Sequence, residues 1–210
     1  MILPESLVAF TIASALLALA PGPDNIFVLT QSTILGWKKG VLVTIGLCTG
    51  LIFHTFAVAF GVAAIFQASV LAFTILKTVG AAYLLYLAWQ AFRASASRLD
   101  NEPTNQLSAV KLYRRGIIMN ITNPKVSIFF LAFLPQFTSP ANGSVAAQVM
   151  MLGLVFILMT LLVFSGVAMA AGSLGSVLNR SPKIQLCMNR IAGTVFIGLA
   201  FKLATASMDS

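Results

Sequence analysis

Residues Leu19–Ile26 read LAPGPDNI, and they interrupt the first long apolar segment of the chain. Pro21 and Pro23 carry no amide hydrogen, so carbonyls just before them lose their helical partners. At membrane depth such groups are tolerated only where protein or a water-filled cavity satisfies them. The stretch therefore predicts an unwound hinge that lines a cavity, not a kink facing lipid. Gly22 and Pro23 would open the second half of the segment, with Asp24 in its first turn.

That the segment lies in a membrane follows from the rest of the chain. Of 210 residues 59% are apolar and 9% charged, against about 25% charged in soluble domains. Residues 40–76 and 126–179 carry no formal charge. A span needs about 20 apolar residues, so each run must hold a full span and a turn. The chain reads as an all-α polytopic membrane protein in contact with the lipid bilayer. Its net charge of +8 does not gather into a patch with interleaved aromatics. The basic residues sit at segment ends, as topology signals do, and no nucleic-acid partner is expected. The first Lys is at position 38, so no cleavable signal is expected either. Cys48 and Cys187 fall on different segments and form no CxxC, which points away from a disulfide, a zinc site or another metal. No cofactor is expected.

Six segments follow: about Glu5–Leu35 with the interruption, Val41–Phe66, Val70–Phe92, Gly116–Phe137, Val145–Leu174 and Ile184–Ala206. They form a single domain over residues 1–210, split by a hydrophilic connection over residues 93–115. The connections after segments one, three and five carry Lys38 and Lys39, then Arg93, Arg98, Lys111, Arg114 and Arg115, then Arg180 and Lys183. Those after segments two and four carry none. The positive-inside rule makes the odd-numbered connections cytoplasmic and places both termini outside.

The second half (about 116–206) echoes the first (about 5–92). KTVGAAYLLYLA over residues 77–88 aligns with RIAGTVFIGLAF over 190–201, each a cation with a glycine three residues on. Pro23-Asp24 in segment one aligns with Pro124-Lys125 in segment four. Three spans per half require opposite orientations, an inverted-topology repeat of the kind secondary transporters use. NITNPKV over residues 120–126 has the form of a helix start, Asn123 as N-cap and Pro124 first in the helix. Two half-helix N-termini would then face each other near the midplane, with Asp24 and Lys125 at related positions. An ammonium beside Asp24 and a carboxylate beside Lys125 would suit a free amino acid. A purely structural Asp24–Lys125 ion pair is the alternative, and both hold if the pair opens for substrate.

PGPD separated from Ser14 by six residues, NPK followed by FFLAFLPQF, and the glycine-rich second segment together resemble the LysE/RhtB family of bacterial amino-acid exporters. The resemblance covers essentially the whole chain. It implies proton-driven export across the bacterial inner membrane. Its motifs fall on Pro21, Gly22, Pro23 and Asp24, and on Asn123, Pro124 and Lys125, as substrate-binding or gating positions. The lack of a GxxxxGK[ST] phosphate loop agrees independently. With one carboxylate inside a span, a neutral substrate of the homoserine or threonine type is expected ahead of lysine or arginine.

Gly46, Gly50 and His54 share one face of segment two at four-residue spacing. The glycines would admit another backbone, in this chain or in a second copy as a homodimer. His54 is either a packed, hydrogen-bonded histidine or a partner of Asp24 in proton coupling. Lys77 and Arg190 read as snorkelling anchors, or alternatively as symmetric gates. Tyr83, Tyr86 and Trp89 read as packing or interface aromatics. An enzyme is not expected, because HExxH, GxSxG and paired acids are missing from the sequence. A metal-cation transporter using Asp24, Cys48 and His54, or a passive channel, remain the rival functions.

Overall fold

The computed structural model describes residues 2–68, 70–95, 108–171 and 182–205. Among these, helices are the only regular structure: α1 (Pro4–Leu19), α2 (Pro23–Leu35), α3 (Trp37–Ala68), α4 (Val70–Arg93), α5 (Ala109–Ile121), α6 (Pro124–Ile128), α7 (Val145–Met169) and α8 (Pro182–Thr205). α6 continues through a π-helical turn, Phe129–Phe133, into a 3-10 turn, Leu134–Phe137. Four helices are each long and apolar enough to cross a membrane. Two bent pairs bring the number of spans to six if each pair is one span: α1 with α2 at 58°, and α5 with the helix from Pro124 to Phe137 at 48°.

Helix starts follow local chemistry. Prolines occupy the first turns of α1, α2 and α6, where a missing N–H costs nothing. Ser108 and Ser144 cap α5 and α7 by accepting from Lys111 N and Ala147 N. Gly36, at φ 88°, ends α2 and lets α3 begin one residue later.

The fourth segment differs from the sequence expectation. Its helix begins at Ala109 rather than near Gly116, so Lys111, Arg114 and Arg115 ride on α5 instead of in the connection. Charge density hid a helical stripe: Leu112, Gly116 and Asn120 recur every four residues and are buried, while Lys111, Arg114 and Arg115 are exposed on the other side. Segments two and six are also longer than expected, starting at Trp37 and Pro182. The expected end of segment five at Leu174, and Arg98 and Arg180 in the connections, lie outside the described residues.

α3 is the central strut. It packs between α5 and α7, while α1 and α2 lie along α7 and α4 pairs with α8. The α3–α5 seam is backbone against backbone. A Cβ on Gly116 would stand 2.6 Å from the Val43 carbonyl oxygen, and one on Gly46 would collide with the Tyr113 carbonyl. Gly50 admits the Asn120 side chain in the same way. The glycine face offered by the sequence to a second copy is therefore covered by α5 of the same chain.

Two apolar clusters flank this frame. The larger contains Phe10, Leu17, Leu51, Phe129, Phe130, Phe133 and Phe156. Its rings interlock, with Phe129 and Phe133 stacked at 4.9 Å and Phe130 and Phe156 edge to face at 5.2 Å. The smaller contains Val28, Val43, Leu47, Leu112 and Phe164 and lies nearer the basic ends of α3 and α5. Between them run the two helix breaks.

The seam makes a testable distinction between glycines. Gly46→Val should destabilise the protein by about 3 kcal/mol, as overpacking against immovable backbone does. Gly61→Ala, with nothing within 4 Å of the added carbon, should cost nothing and stabilise by up to about 1 kcal/mol, as alanine for a helical glycine does. Thermal unfolding of the purified variants in detergent checks this.

Candidate functional site

Each break frees particular carbonyls, and the identity of their new partners defines the site. In a continuous helix Leu17 O would accept from residue 21, but Pro21 has no N–H. Lys125 Nζ replaces it, donating to Leu17 O at 3.2 Å and to Ala20 O at 3.1 Å. Ala18 O accepts from Asn25 Nδ2 at 2.6 Å. The end of α1 is thus capped by one side chain from the opposite break and one from its own. Gly22 makes room for the first: a Cβ there would lie 3.1 Å from Lys125 Nζ.

The second break repeats the logic. Pro124 deprives Asn120 O of its helical donor. Asn123 N supplies one at 3.1 Å, and His54 Nε2 donates to the same oxygen at 3.2 Å. His54 reaches it from α3, packed beside the Phe130 ring with centroids 5.6 Å apart. Asn123 then joins the two breaks. Its Oδ1 caps α6 by accepting from Lys125 N at 3.0 Å, and its Nδ2 donates to Asp24 Oδ2 at 2.8 Å.

Asp24 and Lys125 are 3% and 7% exposed, so two opposite charges sit buried in one layer. Neither takes the other as its hydrogen-bond partner: Asp24 holds the Asn123 amide and Lys125 holds carbonyls. The pair still compensates, because an isolated buried ion would be prohibitively costly. Of the residues anticipated from sequence, Pro21, Gly22, Pro23, Asp24, Asn123, Pro124, Lys125 and His54 come together here. Asn25 and Asn120 join them unanticipated. The addresses of Leu17 O and Asn120 O, each four residues before a proline, are readable in sequence; the side chains that reach them are not.

Among the described residues, five buried side-chain oxygens have no hydrogen-bond partner: Asp24 Oδ1, Asn25 Oδ1, Gln31 Oε1, Asn120 Oδ1 and Thr160 Oγ1. An unmet buried polar atom costs about 1–3 kcal/mol. Three of them, on Asp24, Asn25 and Asn120, stand at the breaks and give this layer an excess of acceptors.

Other candidates stand apart. Arg190 is exposed and Lys77 lines a shallow surface hollow with Thr78, Ala81 and Leu85. Tyr83, Tyr86 and Trp89 form a ladder along α4 with neighbouring rings 6.0 Å apart, and the Arg93 guanidinium covers Trp89 at 4.9 Å. Tyr86 and Trp89 are about half exposed. Cys48 Sγ faces Ile157 O at 3.8 Å while His54 faces Asn120, so thiol and imidazole do not converge. Among the described residues no group of three or more His, Cys, Asp or Glu is placed to hold a metal.

A polytopic helical membrane protein with two broken spans, joined at their breaks by a buried charged node, has the architecture of a small-solute translocator rather than of a receptor or anchor. The chain belongs to the LysE type translocator family, whose model matches residues 15–207. It is similar to a homoserine/homoserine lactone efflux protein of Salmonella typhimurium, 35% identical over 198 residues covering 94% of this chain and 95% of the relative. It is also similar to uncharacterized membrane proteins of Vibrio cholerae (33% identical, covering 94% of this chain and 96% of the relative) and Bacillus subtilis (30% identical, 94% and 98%). No solved structure matches the chain.

The cross-capping predicts an order of damage. Lys125→Met leaves Leu17 O and Ala20 O without donors and Asp24 without a countercharge, and should cost about 3–5 kcal/mol. Asn123→Ala loses an N-cap and one bond to Asp24 and should cost about 2 kcal/mol. Gly22→Ala should weaken the protein by displacing the Lys125 ammonium, and only while Lys125 is present. Thermal unfolding of the single variants and of the Gly22→Ala, Lys125→Met double variant measures this coupling.

Proposed function

We propose that the protein is a secondary exporter of amino acids or close derivatives, of the homoserine type, which it exchanges for protons across the bacterial inner membrane. The observation that carries this reading is the node itself. One carboxylate and one ammonium, buried at two facing helix breaks, match the two charges of a zwitterionic solute. The Salmonella relative, named a homoserine/homoserine lactone efflux protein, supports the substrate class.

The mechanism follows from the hydrogen bonds. A substrate ammonium competes with Asn123 for Asp24, and a substrate carboxylate competes with the Leu17 and Ala20 carbonyls for Lys125. Either exchange loosens the ties between the first and fourth spans, so substrate binding and helix movement are one event. Protonation of Asp24 removes the charge that holds the ammonium and so favours release. His54 holds the Asn120 carbonyl at the second break and is the proposed second proton site.

Alternation between two sides is supported by packing. If the first, second and third spans exchange with the fourth, fifth and sixth, the α1–α7 contact maps onto the α5–α3 contact. The α3–α7 and α4–α8 contacts map onto themselves. An inverted repeat requires these correspondences. Orientation rests on the basic residues: the ends bearing Lys38, Lys39, Arg93, Lys111, Arg114 and Arg115 face the cytoplasm and both termini lie outside.

Uptake of labelled homoserine into inside-out vesicles tests the proposal. Uptake should require an imposed proton gradient and fall at least tenfold in Asp24→Asn. His54→Gln should retain substrate binding and lose the dependence on the gradient. Gradient-independent uptake by the unaltered protein would sink proton coupling, and unchanged coupling in His54→Gln would remove that residue from it.

A further inference from the structure

We infer that the layer between the two apolar clusters holds a ready-made site for a primary ammonium group, built by Asn25, Asn120 and Thr160 together with Asp24. The inference deepens the proposed export function, on which its substrate class rests. Four of the five unpartnered buried oxygens belong to these residues. Asp24, Asn120 and Thr160 are each more than nine-tenths buried.

Three stand at the two helix breaks and the fourth on α7, which packs on α1, α2 and α3. Asn25 and Asp24 open α2 at the first break, and Asn25 fixes itself there through Ala18 O. Asn120 closes α5 at the second break, its main-chain oxygen held by His54 and its side chain against Gly50. Asn123 ties that break to Asp24. Thr160 sits on α7 one turn from Phe156 of the larger cluster and one turn from Phe164 of the smaller. Gln31, the fifth, lies two turns further along α2 and is not included.

The chemistry of the set is one-sided. A carboxylate oxygen and two amide oxygens can only accept, and the threonine hydroxyl accepts as well as donates. The Asn25 and Asn123 amide nitrogens already face acceptors, Ala18 O and Asp24 Oδ2, and the unmet atoms of the set are all oxygens. A group with several donors and no acceptor therefore fits, which describes –NH3+ and excludes a carboxylate or an ether oxygen. Homoserine and homoserine lactone share little else: the lactone has no free carboxylate, and both keep the α-amino group. A site that reads the ammonium accepts both, and it rejects any derivative in which that nitrogen is acylated.

The test is thermal unfolding of the purified full-length protein in detergent, with L-homoserine, homoserine lactone, N-acetylhomoserine and ethanolamine as probes. Homoserine, the lactone and ethanolamine should each raise the unfolding temperature, and N-acetylhomoserine should not. Thr160→Val removes one acceptor without changing shape. It should unfold no earlier than the unaltered protein when no probe is added, yet bind homoserine about tenfold more weakly, the factor one hydrogen bond to a charged group supplies. A response to N-acetylhomoserine equal to that for homoserine would overturn the ammonium site and leave homoserine export standing. A response to ethanolamine alone would support the ammonium site and overturn the homoserine reading. Silence from all three amines, or undiminished binding in Thr160→Val, would overturn the site.

Discussion

A backbone carbonyl in a membrane interior must find a donor, and the rest of this structure is arranged around two that cannot find one in their own helix. Pro21 strands Leu17 O and Pro124 strands Asn120 O. Lys125 answers the first, and His54 joins the nearby Asn123 N–H in answering the second. Both side chains come from another span, so local defects in two helices become long-range ties among the first, second and fourth spans. The fold's polar centre is the means by which broken helices remain compatible with an apolar solvent.

Using Lys125 as a cap forces the next requirement. An ammonium buried to hold carbonyls needs a countercharge, and Asp24 stands in the first turn of α2, where the helix amides also favour an anion. Because carbonyls occupy Lys125 and the Asn123 amide occupies Asp24, the charges compensate without being locked together. A direct, saturated ion pair would leave little for a ligand to compete for. Here each charge is held by neutral partners, which a charged ligand group can outbid. Under the proposed function, stability and responsiveness would come from the same set of bonds.

This division explains what the sequence could and could not disclose. The breaks were readable, because proline chemistry is local: PGPD and NPK mark where a helix must stop and restart. Asp24 stood out as a carboxylate inside an apolar segment, and Lys125 as the cation that opens the uncharged run over residues 126–179. The Asn123 cap was readable from its place before Pro124. The choice of Asn123 rather than Lys125 as the Asp24 partner was not, since it depends on how two helices approach. The start of α5 was obscured by Lys111, Arg114 and Arg115, whose charges resemble a loop until Leu112, Gly116 and Asn120 are seen as a stripe. Asn25 and Thr160 are ordinary polar residues in sequence. Only burial without a partner distinguishes them. The packing role of Gly46 was legible as a need for close approach, but the approaching backbone, α5 of the same chain, was set by tertiary structure.

The two apolar clusters on either side of the node are unequal, and the inequality bears on which side opens. The larger interlocks Phe129, Phe130, Phe133 and Phe156, and Phe10 packs edge to face on Phe137 at 5.1 Å. Lys202 stands over Phe137 at 4.0 Å and adds a tie from α8. Parting such a cluster to admit water costs about 2 kcal/mol for each ring fully exposed. The smaller cluster has one buried phenylalanine, Phe164, among smaller side chains. Across it, α5 and α2 are linked by Arg115 over the Phe27 ring at 4.8 Å. In the proposed orientation this thinner barrier faces the cytoplasm. An exporter must take its cargo from that side and keep the outer side shut while it does so. On that reading the phenylalanine cluster would supply the outer seal, and the small cluster would leave the node within reach of the compartment where the solute is made.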